Sequence, residues 1–472
     1  MLRSLDPYTI YYPEEKVKDL DLMISGKYAG VGALIRYNFL LKNTVIDEPY
    51  ENMPAAEVGL KKGDVILAIG DSSMVGKDVA YVSNHLRGDA GTTFILTIQR
   101  PSVNKKMKFK ITRRAIQLPA VPYYGVQDGG VGYLNLNSFT TGCAKDVRRA
   151  FLDMKKQGMT SLVFDLRNNG GGSLQEAVNI VNMFVPKGIT LVKTVGKMER
   201  ANKEYKTTVE PIDTVMPIVV LVNDETASAS EITSGSLQDL DRAVVLGTRT
   251  YGKGLVQVSM DLPYNGNLKL TSSKYYIPSG RCIQAINYKH ANGGYTEHVP
   301  DSLTHVFHTA NGREVRDGGG IKPDVEVRPD SLPNIAFYLA SSGRDSTEVM
   351  WNWELQYLKK HPTIGPAKTF VISDADFEDF KQAVLKSGFK YDRESKRYLE
   401  NLVKLAKFEG YYDDAKGEFD ALEKKLNHNL AKDLDYNKQT LKKVLTSDLV
   451  SAYYYQKGSL ENSLQFDKQW KK

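Results

Sequence analysis

Residues 218–232 read Ile218-Val-Val-Leu-Val-Asn-Asp-Glu-Thr-Ala-Ser-Ala-Ser-Glu-Ile232: an apolar run, a polar turn, then small residues opening a helical pattern. A short unbroken apolar run bounded by turn residues reads as a buried strand, and a strand passing through a tight turn into a helix is the unit of α/β layer structures. Such a turn exposes a hydroxyl, such as that of Ser228, while the free N–H groups of the helix start point at the same spot. That arrangement suits a nucleophile beside a developing oxyanion. An ordinary N-cap with small packing residues fits the same letters, and Ser230 is a second hydroxyl in the repeated Ala-Ser pair.

Outward from this stretch, strand and helix patterns alternate from Val131 to about Val327. The strands predicted are Gly132 to Leu136, Ser161 to Leu166, Ile218 to Val222, Ala243 to Leu246 and Leu255 to Met260; the helices are Ala144 to Lys156, Leu174 to Phe184 and Ala227 to Leu237. Upstream, Gly30 to about Arg114 is a compact β-rich module with one helix-like stretch, Asp78 to Leu86, before a strand over Thr92 to Arg100. A helix-like stretch from Pro13 to Ile24 precedes it. Beyond Ser331, Phe377 to Leu385, Glu394 to Phe408 and Tyr412 to Asn429 space apolar residues three and four apart among charges, which predicts an amphipathic helical domain. The domains predicted are therefore 1–24, an N-terminal segment packing on the α/β core; 25–114, the β-rich module; 115–330, the α/β core; and 331–472, the helical domain.

Composition narrows the function classes. The 472 residues are 41% hydrophobic and 25% charged, with 63 basic against 56 acidic residues and no long basic block, so nucleic acid is not an expected partner. Apolar runs such as Ile218 to Val222 are far below the roughly 18 residues that cross a bilayer. No signal-peptide pattern opens the chain. Two cysteines, Cys143 and Cys282, are too few and too far apart for a metal or disulfide framework and read as structural thiols. None of the seven histidines, His85, His290, His298, His305, His308, His361 and His428, lies between 86 and 289. Segments from His290 to His308 can still fold back, but no HExxH, Cys-x-x-Cys or EF-hand pattern occurs, so no metal or other cofactor is expected.

Two further stretches invite chemistry. Gly247 to Gly254 matches a phosphate-binding P-loop except that Gly254 replaces the Ser/Thr and a strand follows, which removes the phosphate reading. Glycines on both sides of Lys253 instead allow close backbone approach, and a lysine held in a poorly hydrated place has its pKa lowered. In Asp165-Leu-Arg-Asn-Asn-Gly-Gly-Gly172, successive N–H groups can form an anion-binding concavity. A turn that merely lets helix pack on strand reads equally well.

These three elements, in this order, resemble the C-terminal processing (tail-specific) peptidases, serine peptidases with a PDZ domain and a Ser-Lys dyad. The family pattern D-L-R-x-N-x-G-G, then N-x-x-[ST]-A-S-A-S-E-I, then G-K-G-x-x-Q, falls here on Asp165 to Gly172, Asn223 to Ile232 and Gly252 to Gln257. Gln238-Asp-Leu-Asp-Arg-Ala, Pro278-Ser-Gly-Arg, Gly320-Ile-Lys-Pro-Asp-Val, Leu5-Asp-Pro-Tyr and Pro54 to Gly70 match as well. The resemblance covers residues 1 to 328; the helical domain from 331 has no counterpart in it, and 288 to 317 reads as a variable insertion.

The resemblance implies a PDZ domain followed by a crotonase- or ClpP-like layered protease core. It also implies an endopeptidase in which Ser228 attacks, Lys253 takes its proton and Gln257 orients the lysine. Ala229 and either Gly171 or Gly172 would meet the oxyanion, with Asp239 and Glu231 supporting either the helix start or the catalytic groups. Gly30, Val31, Gly32 and Ala33 would hold a substrate's free C-terminal carboxylate, beside a pocket lined by Val79, Val82 and Leu86. The implied partners are protein or peptide tails, with a homo-oligomer or adaptor compatible. The implied location is the periplasm or cell envelope, with a leader missing upstream of this chain. Four other readings stay open: a PDZ module that is only a lid, a catalytically inactive PDZ scaffold, a crotonase-like acyl-CoA enzyme, and an interaction protein built on the helical domain.

Overall fold

The computed structural model describes residues 5–285, 299–341, 343–426 and 429–472. Part of the 288–317 stretch, with His290 and His298, and also His428, lies outside the described residues. Packing divides the chain into two units: residues 1–28, 117–329 and 467–472 form one, and residues 29–116 and 330–466 form the other.

In the first unit the predicted apolar strands pair side by side. The order is Tyr123–Gln127, Val131–Asn135, Ser161–Asp165, Ile218–Val222, Val244–Gly247 and Val325–Glu326, all parallel after the first antiparallel pair. Register sets Leu134, Phe164, Val220 and Val245 in one row across four strands, each at most 1% exposed. Burying each such side chain stabilises by about 1.5–3 kcal/mol. The crossover helices Cys143–Lys156, Leu174–Val181 and Ala229–Asp239 add Val147, Phe151, Ile180 and Ile232 to the same core. Parallel strands carry their loops at their carboxyl ends, where α/β sheets bind ligands. All three sequence motifs leave the carboxyl ends of adjacent strands here: Asp165, Val222 and Gly247.

A second, antiparallel sheet in this unit is built on the hairpin Leu255–Asp261/Asn267–Tyr276. Ile10–Tyr12 and Thr190–Gly196 add to the longer strand, and Lys203–Lys206 closes the edge. Both cysteines are free; burial pushes both thiols up, so neither offers a ready thiolate.

The second unit joins the β-rich module to the helical region. Its sheet runs Ala33–Asn38, Asn43–Pro49, Val65–Ile69, Thr93–Arg100 and Lys105–Thr112, leaving Ala33–Asn38 as an edge strand. Asp78 caps the helix Val79–Leu86 by accepting from the Tyr81 N–H at 2.8 Å. Helices Val349–Lys360, Asp374–Ser387, Glu394–Glu409 and Lys438–Ser463 follow. The single helix predicted over Tyr412 to Asn429 is instead Lys416–Lys425, and a new helix, Leu430–Tyr436, starts where the Asn429 side chain caps the Lys432 N–H. Trp351 lies under Arg36 at 4.4 Å and Lys62 at 4.5 Å, and Lys62 pairs with the buried Glu354 at 3.3 Å.

Candidate active site

Ser228 sits on the turn between the strand Ile218–Val222 and the helix Ala229–Asp239, which begins two residues later than its periodicity predicts. The delay is the cap: Ser228 has φ 57° and ψ −116°, a conformation that costs a non-glycine residue on the order of 1–3 kcal/mol. The surroundings hold it there. Thr226 donates its hydroxyl to the Leu166 carbonyl at 2.9 Å and accepts from the Asn223 N–H at 2.9 Å. Ser230 is fully buried and donates its hydroxyl to the Asn169 carbonyl at 2.8 Å, whereas Ser228 is only half-buried.

Glu231 joins the serine turn to the lysine loop. Its Oε2 accepts from the Ser228 N–H at 2.8 Å and the Lys253 N–H at 2.9 Å, and its Oε1 from the Gly252 N–H at 2.7 Å and the Thr250 hydroxyl at 2.6 Å. Burial pushes this carboxyl's pKa up, and the four donors oppose that by favouring the charged form. Tyr275 adds a second clamp, donating to the Lys253 carbonyl at 2.8 Å with the Ser228 carbonyl 3.3 Å away. Sequence reasoning gave Glu231 a share in the helix start, with a catalytic-supporting role left open, and missed Tyr275. Its position in a strand facing the Gly-Lys-Gly loop emerges only from sheet pairing.

Lys253 has the close-packed neighbours that its flanking glycines predict. A Cβ on Gly254 would fall 2.8 Å from the Gln284 nitrogen, and one on Gly252 2.4 Å from the Ala285 Cβ. Burial first, and the nearby Lys269 second, bring the ammonium down to about 8, against the pull of Glu231 and Asp6. The ammonium lies 4.7 Å from the centre of the Tyr8 ring, so the N-terminal segment forms part of its surroundings. Gln257 donates its amide to the Thr271 hydroxyl at 3.2 Å, and Thr271 donates in turn to Asp6 at 2.9 Å. Among the described residues this amide bonds Thr271 and not the Lys253 ammonium.

The glycine turn lies against the serine. Asn168 and Asn223 exchange bonds at 2.9 and 2.6 Å, and the Asn169 carbonyl accepts from the Ala227 N–H at 3.0 Å. Gly171, at φ 96°, passes so close that a Cβ there would lie 2.6 Å from the Ala227 oxygen and 2.8 Å from both the Ala229 nitrogen and the Ser228 Cβ. Its own N–H is committed to Asn169 Oδ1 at 2.9 Å. Among the described residues the N–H groups of Ala229 and Gly172 have no partner. Gly171→Ala is expected to destabilise this unit by about 2–4 kcal/mol, because positive φ and a backbone clash combine; a thermal midpoint equal to wild type would show that the two turns can part.

In the PDZ-like module, Gly30, Val31, Gly32 and Ala33 lead into the edge strand. The Val31 carbonyl accepts from the Ala55 N–H at 2.9 Å, and the Gly32 carbonyl from the Tyr50 N–H at 2.9 Å. Val82 and Leu86 face the module's core with Val31 and Ile66, and Val79 is half-buried. No group of His, Cys, Asp or Glu among the described residues is arranged to hold a metal ion, and no helix there is long and apolar enough to cross a membrane.

Comparison with known proteins supplies context for both units. Residues 45–100 match the PDZ domain family, 130–290 match peptidase family S41, and 338–472 match the C-terminal helical domain of probable PDZ-proteases. The last match gives the helical region the counterpart that the sequence reading lacked. The chain is 38% identical over 291 residues to a carboxy-terminal-processing protease of Bartonella bacilliformis, covering 61% of this chain and 66% of that protein. It is 31% identical over 413 residues to a probable CtpA-like serine protease of Staphylococcus aureus strain MRSA252, covering 86% of this chain and 70% of that protein. Among solved structures, the photosystem II D1 C-terminal processing protease is 27% identical, with 70% of this chain and 80% of that one covered and a TM-score of 0.38.

Proposed function

The chain belongs to peptidase family S41, with the carboxy-terminal-processing and CtpA-like serine proteases, and from that premise we propose that it cuts protein chains with Ser228 as nucleophile and Lys253 as general base. The observation that carries this reading is the shared Glu231 oxygen, which ties both backbones to one point while the lysine is desolvated to about 8. At pH 7 a lysine of pKa about 8 is roughly one-tenth neutral, some three hundredfold more than at its ordinary value. The neutral amine takes the Ser228 proton as Oγ bonds the scissile carbonyl carbon. The oxyanion then meets the N–H groups of Ala229 and Gly172, Gly171 being committed elsewhere. Lys253 returns its proton to the departing amine as the C–N bond breaks. It next deprotonates the water that opens the acyl-serine ester and frees the new carboxylate.

Gln257 reaches the lysine's surroundings through Thr271 and Asp6 rather than directly. That makes it a positioning residue in this reading. The inactive-scaffold and acyl-CoA alternatives both leave unexplained why a lysine is held in a site that disfavours its charge.

The PDZ module selects the substrate by its free tail, with the open edge strand Ala33–Asn38 adding the tail as a further strand. Residues 30–33 hold the terminal carboxylate by charge-assisted hydrogen bonds. An extracytoplasmic setting fits the CtpA-like relatives. The test is one unfolded protein bearing a free, an amidated or an Asp-ended tail. The amidated and Asp-ended forms are expected to be cleaved at least about tenfold more slowly than the free apolar tail. A short peptide placed directly in the active site should not feel the change. Equal rates for all three would reduce the module to a lid or spacer.

A further inference from the structure

The segment 467–472 returns to the protease unit after the long excursion of residues 330–466 into the other unit. There it docks on the strand end that carries the glycine turn. Asp467 Oδ1 accepts from the N–H groups of Gln469 at 2.8 Å and Trp470 at 3.1 Å, which closes the segment into a turn, and Oδ2 pairs with Arg167 at 2.7 Å. Gln469, only 3% exposed, accepts from Arg167 at 2.8 Å through Oε1 and donates to the Val327 carbonyl at 2.6 Å through Nε2. Trp470 meets the buried Tyr133 ring edge-on at 5.5 Å. Tyr133 and Arg167 have one target in common, the buried carboxylate of Asp165: the tyrosine hydroxyl donates at 2.6 Å and the guanidinium forks onto both oxygens.

We propose that Asp467, Gln469 and Trp470 are positioning residues for peptide hydrolysis, clasping Arg167 so that the turn Asn168 to Gly172 presents its N–H groups to the oxyanion beside Ser228. This inference rests on the serine-protease reading above. The path is continuous. Arg167 is followed by Asn168, itself at φ 59° and locked to Asn223, and by Asn169, which binds Gly171, Ala227 and Ser230. Without the clasp, half of a largely buried guanidinium loses its acceptors, and the group must turn towards water to be satisfied. The turn that begins with it then loses its fixed end, and oxyanion donors act only when held in place beforehand.

Full-length Asp467→Asn, Trp470→Ala and the double variant test this, with Trp470→Phe as a control that keeps the edge-on ring. A fluorophosphonate probe titrates the reactive serine, and kcat and KM are measured on a short peptide and normalised to titrated sites. The expected result is a tenfold or greater fall in kcat per titrated site in the double variant, with KM and the binding of a free-tailed peptide to the PDZ module unchanged. Trp470→Phe should stay within about twofold of wild type. A purely structural role would lower the melting temperature and the number of titrated sites but leave kcat per site intact, and that outcome overturns the proposal. Should the double variant fail to fold, the single variants decide by the same ratio. A wild-type protein that neither labels nor cleaves would overturn the serine-protease reading itself, a failure distinct from a labelled enzyme indifferent to its tail segment.

Discussion

Lys253→Arg will retain less than about one per cent of wild-type peptidase activity at neutral pH, no better than Lys253→Ala, because a guanidinium does not deprotonate in a protein. Activity above that level in the arginine variant would refute the lysine as base. The pH profile carries the same information in graded form. With burial and Lys269 bringing Lys253 down to about 8, kcat/KM of the wild type should rise with pH through a midpoint near 8 as the amine becomes neutral. A rate flat from pH 6 to 9 would point to a different base. Stability should rise with pH as well, over a higher range. Between about 8 and the ordinary 10.5 the unfolded chain binds the proton that the folded chain has released, so folding is penalised most below 8 and the penalty fades by 10.5. The penalty is about 3 kcal/mol. Lys253→Met should therefore raise the melting temperature at pH 7 and lose that advantage near pH 10.5, and a melting temperature lowered at both would show the ammonium is stabilised where it sits.

Ser228→Ala should abolish both fluorophosphonate labelling and turnover, a loss of at least about a thousandfold. Ser230→Ala should keep its label and a rate near wild type. Its buried hydroxyl serves the Asn169 carbonyl, so its removal should cost only about 1 kcal/mol of stability. Labelling of the Ser228→Ala protein, with none of Ser230→Ala, would move the nucleophile by two residues.

Much of the α/β core was legible because buried parallel strands are apolar from end to end. Ile218–Val222 has the predicted limits, and Ser161–Asp165 is one residue shorter than expected. Glycines that permit close approach were equally plain around Lys253, since no other residue fits where Gln284 and Ala285 pack. What stayed hidden depends on partners far away in sequence. Glu348, just before the helix Val349–Lys360, and Glu354, on it, are only 5% and 2% exposed because Arg36 and Lys62 meet them, partners that no local pattern names. The packing of the helical region onto the β-rich module, rather than as a separate body, follows from such pairs, and no local pattern announces it. For Glu231 the sequence offered a helix-start or catalytic-supporting role but not its partners, because the three in the Thr250 to Lys253 loop lie some twenty positions on. Gln238-Asp-Leu-Asp-Arg carries a similar case: Asp239 meets the buried Arg281 at 2.7 Å, so the two matched motifs explain each other only once folded together.

The protease unit is assembled from three separated pieces of chain, and its last piece arrives after the roughly 140 residues 330–466. At about 5–20 residues per second of synthesis, those residues take on the order of 7–30 s to emerge. During that interval Ser228 and Lys253 already exist, but Arg167 has neither Asp467 nor Gln469 to hold it. On the proposal above, a hydrolase whose oxyanion turn waits for residues 467–470 thus starts with that turn unclasped. It has time to fold its own strands, whose pairing over long sequence separations is slow, before it becomes competent to cut an unfolded chain, including a sister copy still on the ribosome.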